Sequence, residues 1–83
     1  MEQIIGKLKV ILIKYTVEKQ LIDLINSRTL ILKDLKINSA RIIDIILDVE
    51  EEFDIEIDDV SMENILTIGD LTAVIQEKIS RVN

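Results

Sequence analysis

From Ile42 to Phe53 the apolar residues recur at three- and four-residue intervals, with Ile42, Ile45, Ile46, Val49 and Phe53 forming one stripe. At 3.6 residues per turn an α-helix brings that spacing onto one face. Ile43 and Leu47 stand beside the stripe, while Arg41, Asp44, Asp48, Glu51 and Glu52 fall on the opposite face. The segment is therefore an amphipathic helix that needs other elements to cover its apolar side.

The same period organises the rest of the chain. Ile4, Ile5, Leu8, Ile11, Leu12 and Tyr15 mark a first helix, and Val10 and Ile13 widen its apolar surface enough to imply burial. Leu21, Ile22, Leu24 and Ile25 either extend that helix or form a separate turn. Asn26-Ser27-Arg28-Thr29 is a cluster of turn-type residues. Beyond it Leu30, Ile31, Leu32, Leu35 and Ile37 read as a long connection pinned to the core, because a lone strand has nothing to pair with. Asp58 or Asp59 can cap a short third helix ending about Asn64, with Met62 and Ile65 turned inward. Thr67 and Asp70 have the spacing of a capping box, opening a last helix with Leu71, Val74, Ile75 and Ile79 inside. The expected fold is an all-α four-helix bundle, three helices long and the third short, in a single domain over residues 1–83 with a radius of gyration of roughly 12 Å.

Composition then removes whole classes of chemistry. The chain has no Cys and no His, which excludes thiolate nucleophiles, imidazole bases, disulfides and the usual zinc ligands. Two glycines and no proline leave no glycine-rich phosphate loop. An enzyme is not expected. Eighteen isoleucines can build a core, but two aromatic residues offer little surface for stacking bases. A net charge of −6 repels phosphates, so nucleic acid is not an expected partner. Residues 1–41 carry +4 and residues 42–83 carry −10, an asymmetry that suggests a recognition surface. No apolar run reaches the roughly 18 residues of a bilayer span and no secretory pattern opens the chain, so a cytoplasmic monomer without membrane insertion is expected. A basic amphipathic first helix could still lie on an anionic membrane. Asp54, Glu56, Asp58 and Asp59 resemble the start of a calcium loop, but the sixth and twelfth positions are Asp59 and Ile65, so no metal site is expected.

Ser39 is the most informative position. It ends an apolar connection and opens the most regular helix. On its own a serine there is an N-cap whose hydroxyl accepts a backbone N–H. The positive end of a helix also suits a covalently attached phosphate.

The surroundings of Ser39 resemble the acyl carrier protein family. Leu35-Lys36-Ile37-Asn38-Ser39-Ala40 is similar to the leucine, spacer and serine before that family's second helix. The likeness continues through the acid-rich helix to Glu51-Glu52-Phe53 and the exit Ile55-Glu56-Ile57. Asn64 to Leu71 resembles the entry to the last helix, and the match spans about residues 29 to 76. The resemblance implies that Ser39 bears 4′-phosphopantetheine, placed by a phosphopantetheinyl transferase, with Asn38 beside it. It implies that Arg41, Asp44, Asp48, Glu51 and Glu52 meet acyl-loading and acyl-processing enzymes with basic docking surfaces. It further implies an acyl cavity lined by Ile31, Leu32, Leu35, Ile43 and Ile46 before the third helix, and by Val49, Ile57, Met62, Ile65 and Leu71 around and beyond it.

Asn38 stands where the family usually has Asp, Ala40 where it has Leu or Met, and Arg41 adds a cation to the recognition helix. These departures suggest a specialised carrier. The alternative is an unmodified helical interaction module of the same fold in which Ser39 is only a cap.

Overall fold

A computed structural model describes residues 2–80. Helix α1 spans Glu2–Leu12, α2 Ile42–Phe53, α3 Asp59–Glu63 and α4 Ile68–Ser80. Two 3₁₀ segments, Lys19–Leu24 and Ser39–Arg41, complete the regular structure. Three long helices and a short third one form the expected bundle, with a radius of gyration of 11.8 Å. Leu8, Leu12, Ile45, Val49, Ile68, Leu71 and Ile75 are almost wholly removed from solvent and form its centre.

The first helix is shorter than its periodicity. Past Leu12 the backbone tightens to three-residue bonds, Lys14 N–H to the Ile11 carbonyl and Tyr15 N–H to that of Leu12. Thr16 then turns inward, its hydroxyl donating to the Leu35 carbonyl at 2.7 Å while accepting the Glu18 N–H. β-Branched Thr16 and Val17 do not favour another helical turn. The 3₁₀ segment that follows is separate, and it buries Ile22.

The connection before α2 is pinned as its apolar residues require, with Ile31, Leu35 and Ile37 buried. Its strand-like content yields a single bridge, Leu30 to Thr67. Lys36 turns the chain at a φ of 53°, which for a residue with a Cβ costs about 1–2 kcal/mol. Its ammonium meets Glu18 at 3.2 Å.

Both ends of the acidic half are closed by side chains. After α2, Asp54 takes the left-handed conformation and Ile55 N–H reaches back to the Glu50 carbonyl at 3.1 Å. The Glu50 carboxylate accepts the Ile57 N–H at 2.6 Å, which helps fold Ile55 and Ile57 back into the core. At α3 Asp58 occupies the cap position, its carbonyl accepting the Met62 N–H at 3.0 Å but its side chain making no cap bond. Instead the Ser61 hydroxyl holds its carboxyl below the usual range. At α4 the capping box is reciprocal, Asp70 N–H to Thr67 Oγ1 and Thr67 N–H to Asp70 Oδ2, both 3.0 Å.

Several apolar residues depart from expectation. Val10 is 70% exposed and Ile13 also faces solvent, because α1 covers the core with its Leu8–Leu12 side only. Ile79 is exposed in the last turn of α4, beyond the reach of the core. Leu47 lies on the flank of α2 that no other helix covers.

Candidate functional site

The site begins at the junction between the connection and α2. Asn38, in extended backbone, accepts the Ala40 N–H on its side-chain Oδ1 at 2.9 Å. Its carbonyl accepts the Arg41 N–H, also at 2.9 Å. The cap is therefore Asn38, one residue before the serine. Ser39 is exposed at the first position of the 3₁₀ turn, and its hydroxyl has no hydrogen-bond partner among the described residues. A serine acting as the cap would have its oxygen occupied by a backbone N–H.

A covalent phosphodiester needs an accessible oxygen free of competing bonds, and Ser39 Oγ meets that requirement. Asn38 has already satisfied two of the N–H groups at this helix start. An anion here would draw instead on the positive end of the helix and on nearby cations. Arg41 is the cation in this first turn, and its guanidinium pairs with Asp44 at 3.3 Å.

The acids of α2 divide into two groups. Asp48 accepts a hydrogen bond from the Tyr15 hydroxyl and an ion pair from Lys14 at 3.0 Å. It is turned back against the end of α1 and is only partly open to solvent, where sequence spacing had it on an outward face. The Tyr15 bond, more than the Lys14 charge, holds the Asp48 carboxyl below its ordinary range. The same bond, with some burial, pushes the Tyr15 hydroxyl up to about 12. Glu52 lies 3.7 Å from Lys7 of α1, while Glu51 has neither an ion pair nor a hydrogen bond among the described residues.

Seven of the ten residues expected around a cavity, Ile31, Leu35, Ile46, Val49, Ile57, Ile65 and Leu71, are buried in the common core. Leu32 and Met62 are half-buried against it. Ile43 is 49% exposed, on the same flank of α2 as the exposed Leu47. An apolar cleft of about 140 Å³ opens at the first turn of α2. Residues 30–33 form one wall, Ile65 and Leu66 the other, and Ile42 closes the end at the first turn of α2.

Spacing offered no signal for Tyr15 as the partner of Asp48, for Glu50 as the acceptor of Ile57, or for Leu30 and Leu66 as cleft walls. Each depends on which segments meet in space. Asparagine is a residue type suited to capping, and the bond from Ala40 N–H assigns that role to Asn38.

Comparison with known proteins places this geometry. The profile of the phosphopantetheine attachment site family matches residues 19–75, more than half of the chain. The chain belongs to that family. The acyl carrier protein of Thermotoga maritima is 35% identical over 49 residues, covering 59% of this chain and 60% of the relative. The acyl carrier protein of an Exiguobacterium species is 37% identical over 46 residues, covering 55% and 58%. The chain thus spans about three fifths of the length of the curated relatives it matches. The cofactor of the family is phosphopantetheine, and the matched region includes Ser39 and all of α2. No described helix is long and apolar enough to cross a membrane, and no cluster of possible metal ligands occurs among the described residues.

Proposed function

We propose that residues 1–83 act as one acyl carrier domain, with 4′-phosphopantetheine attached through a phosphodiester to Ser39 Oγ. The observation that carries this reading is the unoccupied, exposed Ser39 hydroxyl beside an asparagine that already caps the helix. An unmodified module would need the serine only as a cap, and Asn38 has that role. The group supplies a flexible arm ending in a thiol, the nucleophile that a chain without cysteine lacks. The chain's own part is to hold and present that arm, so the protein is a carrier and not an enzyme. Its partners in this reading are a phosphopantetheinyl transferase and acyl-loading and acyl-processing enzymes, in the cytoplasm where coenzyme A is available. Arg41, Glu51 and Glu52 remain exposed for docking, with the half-buried Asp44 beside them and Asp48 contributing charge from its place against the end of α1.

The test is intact mass after incubation with coenzyme A, magnesium and a broad-specificity transferase. A gain of one phosphopantetheine that is absent in Ser39→Ala supports the reading. A correctly folded chain that gains no mass with any of several transferases overturns it.

A further inference from the structure

The backbone just past Ser39 has no donor to spare. Ala40 N–H is taken by Asn38 Oδ1 and Arg41 N–H by the Asn38 carbonyl, both at 2.9 Å, and Ile42 N–H by the Ser39 carbonyl. Anions at a helix start are ordinarily held by such groups. A phosphodiester on Ser39 Oγ therefore has its negative charge met by side chains, and the turn that carries it, Ser39–Arg41, holds one cation.

Arg41 lies within reach of that charge. The turn is 3₁₀, so residues two apart stand a third of a turn round and about 4 Å along the axis, not on opposite faces as in an α-helix. Cα–Cβ bonds lean toward the helix start, which carries Arg41 back toward Ser39. The guanidinium is also loosely held. One of its nitrogens meets Asp44 at 3.3 Å, with 60% of the arginine side chain and 47% of the aspartate side chain open to solvent. Exposed pairs of this kind are weak. A phosphodiester offers two oxygens in the spacing of the guanidinium fork, which gives shorter and stronger charge-assisted bonds. Asp44 tolerates the loss of its partner, because it stands in the first turn of α2, where the positive end of the helix supports a carboxylate. Lys36, the nearest cation before Ser39 in sequence, is held by Glu18 at 3.2 Å and has no fork.

Resting on the acyl-carrier reading, we infer that Arg41 exchanges Asp44 for the phosphodiester when the arm is attached to Ser39. The exchange fixes the root of the arm against the first turn of α2 and releases Asp44 as a free carboxylate. The unmodified chain keeps that carboxylate paired, so loading changes the charge pattern of α2 by the swing of one side chain.

The experiment compares the unmodified chain with the chain loaded from coenzyme A by a transferase, in the wild type and in Arg41→Gln, Arg41→Lys and Lys36→Gln, all at exposed positions. Intact mass confirms loading, and NMR at neutral pH then reads the Asp44 carboxyl carbon and the phosphorus of the phosphodiester. Unmodified Arg41→Gln gives the carbon shift of an unpaired Asp44, and loading the wild type moves Asp44 more than half of the way to that value. Loading Arg41→Gln leaves Asp44 where it was, which separates the exchange from the direct field of the phosphate. The phosphorus resonance of loaded Arg41→Gln is displaced from that of the loaded wild type, and Arg41→Lys, with the charge but not the fork, is displaced less. An Asp44 shift unchanged by loading the wild type overturns the exchange. So does a phosphorus resonance that responds to Lys36→Gln and not to Arg41→Gln. Absence of mass gain with any of several transferases sinks the carrier reading and this inference with it, whereas full loading with Asp44 unchanged sinks the exchange alone.

Discussion

Removing the Tyr15–Asp48 bond tests how α1 is attached to α2. The two residues are thirty-three positions apart, and their contact ties the end of α1 to the middle of α2. A hydroxyl pushed from 10.0 to about 12 prefers its protonated form in the fold by about 2.7 kcal/mol at most. Tyr15 is half-buried, and the Asp48 side chain is 29% exposed, so solvent screening reduces the coupling to about 1–1.5 kcal/mol. The sign follows from linkage. Tyr15 titrates higher in the fold than in the unfolded chain, so its contribution is complete below about pH 10 and is lost as pH rises from about 10 to 12. Asp48 titrates lower in the fold, so its contribution is present above about pH 4 and is lost as pH falls through its depressed native value.

Two assays read this coupling. Tyr15 is the only tyrosine and the chain has no tryptophan, so absorbance near 295 nm reports its ionisation alone. The expected midpoint is near 12, falling by a unit or more in Asp48→Asn. A double-mutant cycle of Tyr15→Phe and Asp48→Asn in urea at pH 7 should give the coupling energy above, and each single variant should melt about 5–10 °C lower. A midpoint near 10 with additive single variants would show that the bond contributes nothing and refute the reasoning.

Asn38→Ala should cost about 1 kcal/mol in urea unfolding, whereas Ser39→Ala should stay within about 0.5 kcal/mol, because the cap is the asparagine. The reverse order would return the capping role to Ser39. Thr67→Ala should likewise cost about 1 kcal/mol by removing half of the α4 capping box. The Leu66 and Thr67 N–H groups hold the Asp70 carboxyl below its ordinary range, so the stabilisation it supplies is present at neutral pH and is lost as pH falls through that depressed value. The penalty of Asp70→Asn should therefore be clear at pH 7 and shrink toward pH 3, and a pH-independent penalty would refute the attribution to the ionised carboxylate.

Much of the architecture was legible because helical periodicity is strong wherever one face is buried. Residues 42–53, the capping box at Thr67 and the short third helix all follow from local pattern, and local pattern survives folding when no tertiary contact opposes it. The end of α1 was not legible, because it is set by the Thr16 bond to Leu35 and the Tyr15 bond to Asp48, both distant in sequence. Ile43 could not be placed for a related reason. Periodicity defines the centre of an apolar stripe, but which flank a neighbour covers depends on where α1 lies. At the site itself, Ser39 and Asn38 were both identified, and only their roles as free hydroxyl and cap needed the backbone to assign.

The opposite charges of the two halves act partly within the molecule. Lys7 of α1 and Lys14 of the turn after it lie against Glu52 and Asp48 of α2, so the basic first half is in part the counterpart of the acidic second. Exposed pairs of this kind stabilise by less than about 1 kcal/mol each, so their larger effect is to decide which acids remain available. Asp48 is drawn onto α1, Glu52 is shared, Asp44 is balanced by Arg41, and Glu51 is left without a counter-charge. Reversing Asp48 would strip Tyr15 and Lys14 of their acceptor and loosen α1, so a binding loss there mixes docking with damage to the bundle. Reversing Glu51 removes no internal bond seen among the described residues. Its effect on association, and the decline of that effect with salt, therefore reads the docking charge of α2 alone.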